Sequence, residues 1–408
     1  MTNRFIGKPF KGLRPTKNYA DKIVAPPYDV VSKEQVYNIV KSNPDSFLRV
    51  SRAEVDFNEA VDPYSNKVYN QAANNFNKLL ELDIIRADEN EFYYIYRIRS
   101  KNHTQTGIAF AASIEAYREG KIKRHELTRE KKELDRIMQI RAVRAQTGPV
   151  MLINRKNHNL KSTLEKITQK KLPEISTMLE EWKHEIWVVN KPEEISEIDR
   201  HLNSIKDFYI ADGHHRSAAA SKISEKPFDL LSCDSFLAVS FDETELKILP
   251  YNRVIRDLNQ FTSDEFLAKL SNKFTVKKIK LSEQIHKKYY YYIYLEHCWY
   301  QLKLKEFPTN TKNILNCLDT QIVEDLILRP ILNITKIRTD NRVEFVGGPK
   351  SADKIVDLVD SGEMKLGIAL PPTEIEELIK ISDEGGLMPP KSTWFEPKLA
   401  DGLISLKI

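Results

Sequence analysis

The sequence predicts a mixed α/β chain of the α+β class, in which strands and helices alternate along most of its length. Aromatic and β-branched runs such as 92–99 and 208–211 are typical of strands, whereas 64–82 places apolar residues at helical spacing. The 408 residues exceed what one hydrophobic core usually supports, so two regions are expected. The character of the segments changes near residue 235, which divides 1–235 from 236–408.

The first region is expected to form layers of helices on a sheet, because helical and strand patterns follow one another. It opens with a segment stiffened by Pro26 and Pro27, which excludes an interior helix or a central strand at that point. The predicted helices cover 33–42, 64–82, 128–147, 192–204 and 214 to about 224. The predicted strands cover 92–99, 106–114, 150–153, 187–189 and 208–211.

The second region is predicted to continue the mixed pattern. Thr262 and Glu265 form a capping box that starts a helix. The runs 289–294 and 299–304 are expected to pair as strands. Further strands are predicted over 236–241 and 365–370, and further helices over 320–328 and 351–361.

Composition indicates a cytoplasmic globular protein without a membrane span. No run of about 18 apolar residues occurs, and the residues from Met1 to Phe5 lack a signal-peptide core. Three widely separated cysteines indicate neither a disulfide framework nor a structural zinc site. The 63 basic and 58 acidic residues are interleaved, which is typical of a solvated surface. Only the basic stretch 121–144 is compatible with nucleic acid or a nucleotide, and its acidic neighbours favour an ordinary charged helix.

The segment from Ile210 to Arg216 is the strongest candidate for a phosphate-handling site. Gly213 permits a positive backbone φ angle and a close approach of ligand to the main chain. A helix begins directly after it, so amide groups and the positive end of the helix dipole meet at one place. His214, His215 and Arg216 add side-chain donors, and a guanidinium suits bidentate phosphate recognition.

Two other interpretations of this turn remain open. Asp212 can be a simple helix N-cap followed by two incidental histidines. A metal site is the third interpretation, but adjacent helical residues diverge by roughly 100°, so His214 and His215 are poorly placed to share one ion.

Two weaker motifs accompany the turn. In Lys123-Arg124-His125-Glu126-Leu127-Thr128, Glu126 is either a charge matched to a helix N-terminus or a general base at the edge of a site. The Pro/Gly-rich segment 385–398 is either a terminal strap or a loop that closes over a ligand. In the second case its substrate-binding residues are Lys391, Ser392, Thr393 and Trp394.

These motifs closely resemble those of the bacterial and archaeal proteins grouped as domain of unknown function 1015. The resemblance extends from residue 25 to residue 393. It is carried by the segments Ala25-Pro26-Pro27-Tyr28-Asp29-Val30, 120–136 with His125-Glu126 and Asp135-Arg136, Ala211-Asp212-Gly213-His214-His215-Arg216, and Met388-Pro389-Pro390-Lys391-Ser392-Thr393.

A wider resemblance is to the ParB/sulfiredoxin superfamily, whose Gly-x-x-Arg turn at a helix start holds nucleotide phosphates. Its free-serine kinases carry an Asp-Gly-x-His-Arg version with an upstream catalytic glutamate, which Asp212, Gly213, His215 and Arg216 match here, with Glu126 as the counterpart of the glutamate. His214 stands where sulfiredoxin has its reactive cysteine, which argues against sulfiredoxin chemistry. The sequence has no convincing helix-turn-helix, so a ParB-like centromere role is not expected.

The resemblance implies a ParB/sulfiredoxin-like nucleotide-binding region over 1–235 and a C-terminal α/β region over 236–408 that completes or covers the site. It implies a kinase that uses ATP or ADP with Mg²⁺ and phosphorylates a small alcohol, with free L-serine favoured and O-phospho-L-serine as product. Nucleic acid and membranes are not expected as partners, and the sequence carries no signal for an oligomeric state.

The resemblance also implies roles for the residues of the motifs. Glu126 takes the hydroxyl proton, Asp212 places Mg²⁺ or the acceptor, and the segment from Gly213 to Arg216 neutralises charge on the phosphoryl oxygens. Arg136 and Arg141 reach the nucleotide or an amino-acid carboxylate. Two alternatives stay open: an ATP- or CTP-binding regulatory switch without an acceptor, and a DNA-associated regulator.

Overall fold

The computed structural model describes residues 5–225, 233–280, 287–308 and 313–408, and these confirm the mixed α+β class. The chain forms two compact units. The first comprises Met1–Arg124, Thr128–Leu246 and Pro397–Ile408, and the second comprises His125–Leu127 and Lys247–Glu396. Residues 1–4, on which the signal-peptide expectation partly rests, lie outside the described residues. Within the described ranges, no helix is both long and apolar enough to cross a membrane.

The first unit is built on a nine-stranded mixed sheet. Phe208–Asp212 lies near one edge, parallel to its outer neighbour Ile122–Lys123 and antiparallel to Val150–Asn154. The Gly213 turn follows directly after the end of this buried strand. The remaining strands across the sheet are Ser235–Asp242, Thr104–Ser113, Tyr93–Arg99, Trp182–Val189 and Ile175–Leu179, with Gly7–Lys8 paired to Thr104–Ser113.

A smaller four-stranded sheet ties the C-terminal segment 397–408 into the first unit. Its strand order is Ile85–Ala87, Gly12–Pro15, Ser405–Lys407 and Ala145–Gln146. Just before it, Ala25 and Asp401 exchange backbone hydrogen bonds of 3.2 and 2.9 Å. The proline-stiffened motif that begins at Ala25 is therefore fixed to residues close to the C-terminus.

The helices of the first unit pack on these sheets or on one another. Lys33–Ser42 begins at a capping box formed by Ser32 and Gln35, as the sequence pattern allows. The α-helices are Ala20–Ile23, Lys33–Ser42, Leu48–Ser51, Asn66–Glu81, Ile114–Arg118, Glu130–Val143, His158–Lys170, Pro192–Asn203 and His214–Glu225, with short 3₁₀ turns at Ala53–Asp56 and Glu243–Glu245.

One predicted helix is shorter than expected. The pattern predicts a helix over 128–147, and the structure has Glu130–Val143. Arg144 adopts a left-handed conformation with φ of 58°, which ends the helix, and Ala145–Gln146 then pairs with Ser405–Lys407. A strand from the far end of the chain thus determines where this helix ends.

The second unit contains a six-stranded antiparallel sheet. Tyr290–Leu295 and Cys298–Leu304 pair as predicted, and the Thr262–Glu265 capping box starts the helix Ser263–Leu270. The strand order is Phe274–Ile279, Cys298–Leu304, Tyr290–Leu295, Leu366–Ala369, Tyr251–Ile255 and Val343–Gly347, and a separate pair joins Lys247–Leu249 to Trp394–Glu396. The other helical segments are Ile314–Cys317, Asp319–Val323 continued by Glu324–Leu328, Ser351–Asp360 and Ile375–Asp383.

Candidate anion-binding site

The turn at Gly213 has the geometry that its sequence predicts. Asp212 ends a buried strand, Gly213 adopts a φ of 101°, and the helix His214–Glu225 starts at once. A β-carbon on Gly213 would stand 3.0 Å from Nε of Arg216, because that guanidinium folds back over the turn. Glycine is required here both by the backbone angle and by the space that Arg216 takes.

Two groups of the first unit hold the guanidinium of Arg216 in place. One Nη donates to the carbonyl of Pro149, and the other lies 3.3 Å from Oδ2 of Asp212. Burial acts to lower the pKa of Arg216, and the carboxylates of Asp212 and Asp29 raise it above its ordinary value. Arg216 therefore provides a fixed positive charge at the start of the helix.

Arg216 and Arg136 both line one recess in the first unit, which we call the arginine recess. The recess is small, with a cavity volume of about 30 Å³, and it is open to solvent on one side. Tyr28 and Asp401 also line it, together with Ser51, Gln139, Ile140, Gln146, Thr147 and Gly148. The arginine recess thus combines two guanidiniums, which is the arrangement that suits an anion with several oxygens.

Arg136 is fixed by a ring on one side and a carboxylate on the other. Its guanidinium carbon lies 3.9 Å from the centre of the Tyr28 ring, and an Nη lies 2.8 Å from Oδ2 of Asp135. Burial acts to lower the pKa of Arg136, whereas Tyr28 and Asp135 raise it, and the net shift is upward. Burial raises the pKa of Tyr28 to about 12, so its hydroxyl stays a neutral donor at physiological pH.

Asp401 is a residue of this site that the sequence analysis missed. Its side chain is buried at 2% exposure, and the hydroxyl of Ser51 hydrogen-bonds to it. Burial raises the pKa of Asp401 to about 7, with Arg216 and Arg136 acting to lower it and Asp29 to raise it. The only sequence feature that marks this position is the pair Asp401-Gly402, which is typical of a turn. In the structure Gly402 has a φ of 87°.

Asp212 faces two cations. Besides Arg216, the ammonium group of Lys398 lies 3.5 Å from Oδ2 of Asp212. Across the ranges that the structure describes, no group of three or more His, Cys, Asp or Glu side chains is arranged to hold a metal ion. The predicted role of Asp212 toward Mg²⁺ therefore concerns a single carboxylate and stays a prediction.

The other residues of the predicted phosphate set have more varied surroundings. His214 is buried, and Nε2 of His215 accepts a hydrogen bond of 3.0 Å from the backbone N–H of Arg129. This bond links the turn to the start of the helix that carries Arg136. Arg141 lies on the same helix but is not among the residues that line the arginine recess.

Ion pairs account for part of the basic stretch 121–144. Lys121 lies 3.5 Å from Glu119, and Lys123 lies 3.2 Å from Asp207. Lys131 and Lys132 both lie over the ring of Tyr64. These contacts fit the interpretation of this stretch as an ordinary charged surface, with Arg136 as the member that faces the recess.

The second unit contains Glu126 and the predicted substrate residues 391–394. Its buried His125 accepts a 2.8 Å hydrogen bond at its carbonyl from Met388, and its Nε2 lies 3.4 Å from the hydroxyl of Thr393. The motif at 125–126 and the segment 388–393 thus lie side by side, although they are far apart in sequence.

The segment 391–394 is held by its own contacts in this unit. The hydroxyl of Ser392 donates to the carbonyl of Pro389 at 2.7 Å, and Lys391 lies over the ring of Tyr251 with a left-handed φ of 56°. The ring of Trp394 packs so close to Gly347 that a β-carbon there would stand 2.1 Å from it. The predicted substrate-binding role of 391–394 stays a prediction, as does that of Glu126 as a base.

Residues 8–321 match the family model described as "Protein of unknown function (DUF1015)". No curated relative matches the sequence.

Three solved structures have a distant likeness to this chain. Free serine kinase in complex with AMP is 14% identical with a TM-score of 0.35, and the likeness covers 71% of this chain and 86% of that one. A conserved hypothetical protein from Pyrococcus furiosus is 14% identical with a TM-score of 0.36, covering 74% and 94%. SbnI with a C-terminal truncation, from Staphylococcus aureus, is 10% identical with a TM-score of 0.36, covering 72% and 85%. At these values the likeness assigns neither a reaction nor a substrate.

Proposed function

The chain belongs to the family described as "Protein of unknown function (DUF1015)", and because that description names no activity, we propose its function from the site itself. We propose that it is a nucleotide-dependent kinase of a small alcohol, with free L-serine as the favoured acceptor and O-phospho-L-serine as product. The observation that carries the proposal is the arginine recess, where Arg216 from the Asp-Gly-x-His-Arg turn and Arg136 line one cavity.

The chemistry of the recess suits a phosphate group. Pro149, Asp212 and Asp135 accept some of the N–H donors of the two guanidiniums, and the remaining donors can serve a phosphate, which brings three oxygens and close to two negative charges. The phenol of Tyr28 adds a neutral donor at the same wall. Arg216 lies in the first turn of the helix that begins after Gly213, and it is the residue of the segment from Asp212 to Arg216 that lines the recess.

Phosphoryl transfer demands mostly positioning and charge stabilisation, which such a site supplies. In the proposal, the arginines hold phosphate oxygens and Asp212 helps to place the nucleotide. Mg²⁺, bound mainly by the nucleotide phosphates, would neutralise part of their charge. Glu126 takes the proton of the acceptor hydroxyl, and residues 391–394 contact the acceptor.

A second function, a nucleotide-binding switch without an acceptor, is favoured by one observation. All residues that line the arginine recess belong to the first unit, whereas Glu126 and 391–394 belong to the second. A switch needs only the residues of the first unit for binding.

The test is incubation of the full chain with ATP, Mg²⁺ and a panel of free amino acids, read by mass spectrometry. The kinase proposal expects phosphoserine to form in step with ADP. Nucleotide binding with no phosphorylated acceptor would favour the switch. Absence of nucleotide binding would remove both functions.

A further inference from the structure

The buried carboxyl of Asp401 lines the arginine recess, the space that a phosphate group would enter. A β-carbon on Gly148 would stand 3.4 Å from both Oδ1 of Asp401 and Nη1 of Arg216, so these two side chains line the same small space. Asp401 is 2% exposed and far from the sequence motifs that predict the site. A carboxylate among groups that are to bind an anion needs an explanation, because it opposes the incoming charge.

We propose that Asp401 is a ligand-binding residue that takes up one proton from solvent when a phosphate group enters the arginine recess. The neutral carboxyl then donates a hydrogen bond to a phosphate oxygen. This inference rests on the proposed function only in that a phosphate group must enter the recess.

The charged groups around Asp401 make its two protonation states close in free energy. Arg216 and Arg136 favour the carboxylate, as does the hydrogen bond from Ser51, whereas burial and the charge of Asp29 favour the neutral acid. Tyr28, the other titratable side chain of the recess, is neutral at physiological pH. A phosphate group adds negative charge at short range and engages the two guanidiniums, and both effects favour the neutral acid.

The main chain keeps Asp401 from moving out of the recess instead. Its N–H and C=O are both bonded to Ala25, and the N–H of Ala400 donates to the hydroxyl of Tyr96 at 3.2 Å. Gly402 follows with a φ of 87°, and a β-carbon there would stand 2.8 Å from Ile23 and Phe47. The backbone of Asp401 is fixed from both sides and the hydroxyl of Ser51 holds its carboxyl, so its charge is the property that changes on binding.

The expected consequence is a pH-dependent affinity for phosphate groups. Below a pH of about 7 the carboxyl of the free protein is already protonated, so affinity changes little from this cause. Above that pH each binding event must first take up a proton, so affinity falls by up to about tenfold per pH unit. The fall ends where the complex itself loses the proton.

The experiment measures calorimetric binding of ADP and of sulfate at pH 6.5 and 8.5, in buffers of different ionisation enthalpy. Sulfate serves as a probe because it carries no proton to exchange in this range. The variants are Asp401→Asn, which resembles the neutral acid in shape and donor, and Asp264→Asn, which removes an exposed helical carboxylate elsewhere as the control.

The wild-type protein and Asp264→Asn are expected to take up about one proton more per bound anion at pH 8.5 than Asp401→Asn does. Asp401→Asn is expected to bind both anions at least about tenfold more tightly than wild type at pH 8.5 and with similar affinity at pH 6.5. Equal proton uptake in wild type and Asp401→Asn, or equal affinities at pH 8.5, would overturn the inference while leaving the proposed function intact.

Two further results keep the inference testable. If Asp401→Asn does not fold, Ser51→Ala replaces it, since loss of the Ser51 hydroxyl removes a contact that favours the carboxylate. The midpoint of the pH dependence of sulfate affinity must then move upward, and an unchanged midpoint overturns the inference. If the wild-type protein binds neither ADP nor sulfate at either pH, both the inference and the proposed function fail.

Discussion

The guanidinium of Arg216 lies over Gly213 so closely that its Nε is 3.0 Å from the position of a β-carbon on that glycine. The turn and the guanidinium therefore depend on each other, because the lack of a side chain at Gly213 leaves the space that Arg216 occupies. Any side chain at position 213 must displace the guanidinium that lines the arginine recess.

Gly213→Ala is expected to lose both stability and anion binding. A non-glycine residue at a φ of 101° costs about 1–3 kcal/mol, and the new methyl group also pushes Arg216 away. Gly120→Ala is the matched control, because Gly120 has a φ of 76° with nothing within 4 Å of its β-carbon position. Thermal unfolding and ADP titration should show lower stability in both variants and lost binding only at 213. Equal ADP affinity in the two variants would contradict the claim that the Gly213 turn positions Arg216 for anion binding.

Tyr28→Leu is expected to weaken ADP binding more than Tyr28→Phe does, because Phe loses the hydroxyl donor but keeps the ring. The ring of Tyr28 supports the guanidinium of Arg136 at 3.9 Å, and such a contact contributes about 0.5–2 kcal/mol. Tyr64→Leu serves as control, since Tyr64 supports the exposed Lys131 in the same way at 4.5 Å. A loss of affinity in Tyr64→Leu as large as in Tyr28→Leu would contradict the role given to Arg136.

Glu126→Gln is expected to abolish phosphoserine formation and to leave ADP affinity within about twofold of wild type, as removal of a general base requires. The exposed Glu130, at the start of the helix Glu130–Val143, provides the matched variant Glu130→Gln, which should turn over normally. Phosphoserine formation and ADP binding are measured on the same preparations. Turnover at the wild-type rate in Glu126→Gln would remove Glu126 as the base.

Asp401→Asn is expected to stabilise the ligand-free protein more at pH 8 than at pH 4. The pKa of Asp401 is about 7 in the folded chain and lower in the unfolded chain, so the folded state holds a proton that the unfolded state releases between these values. Stability from this group is therefore present at low pH and is lost as pH rises toward 7. Chemical unfolding at the two pH values measures the difference. A variant no more stabilised at pH 8 than at pH 4 would contradict the assignment.

Local patterns predicted much of the fold. The capping box of Thr262 and Glu265 starts the helix Ser263–Leu270 as predicted, because a cap depends only on residues a few positions away. The helix His158–Lys170 was not predicted, although Leu160, Leu164 and Ile167 carry helical spacing. The short strand Gly12–Pro15 pairs with 85–87 and 405–407. These partners are far away in the sequence, so no local pattern predicts the strand.

The site was predictable to the same extent. The turn from Asp212 to Arg216 is a local feature, and its glycine, strand and helix start lie where the sequence predicts. The place of Asp401 and Tyr28 in the recess depends on the backbone pairing of Ala25 with Asp401, which joins the two ends of the chain. Such a contact has no signature in residue spacing.

The measurement that tests the central claim most directly is ADP titration of the wild-type protein, Arg216→Ala and Arg155→Ala. Arg155 is an exposed arginine of the same unit whose Nη1 lies 3.0 Å from Glu243, so its removal changes the net charge equally. We predict that Arg216→Ala weakens ADP binding by about 1.5–3 kcal/mol, the range of a charged hydrogen bond, and that Arg155→Ala leaves it unchanged. If Arg216→Ala binds ADP with wild-type affinity, the phosphates do not bind at Arg216, and the account is contradicted.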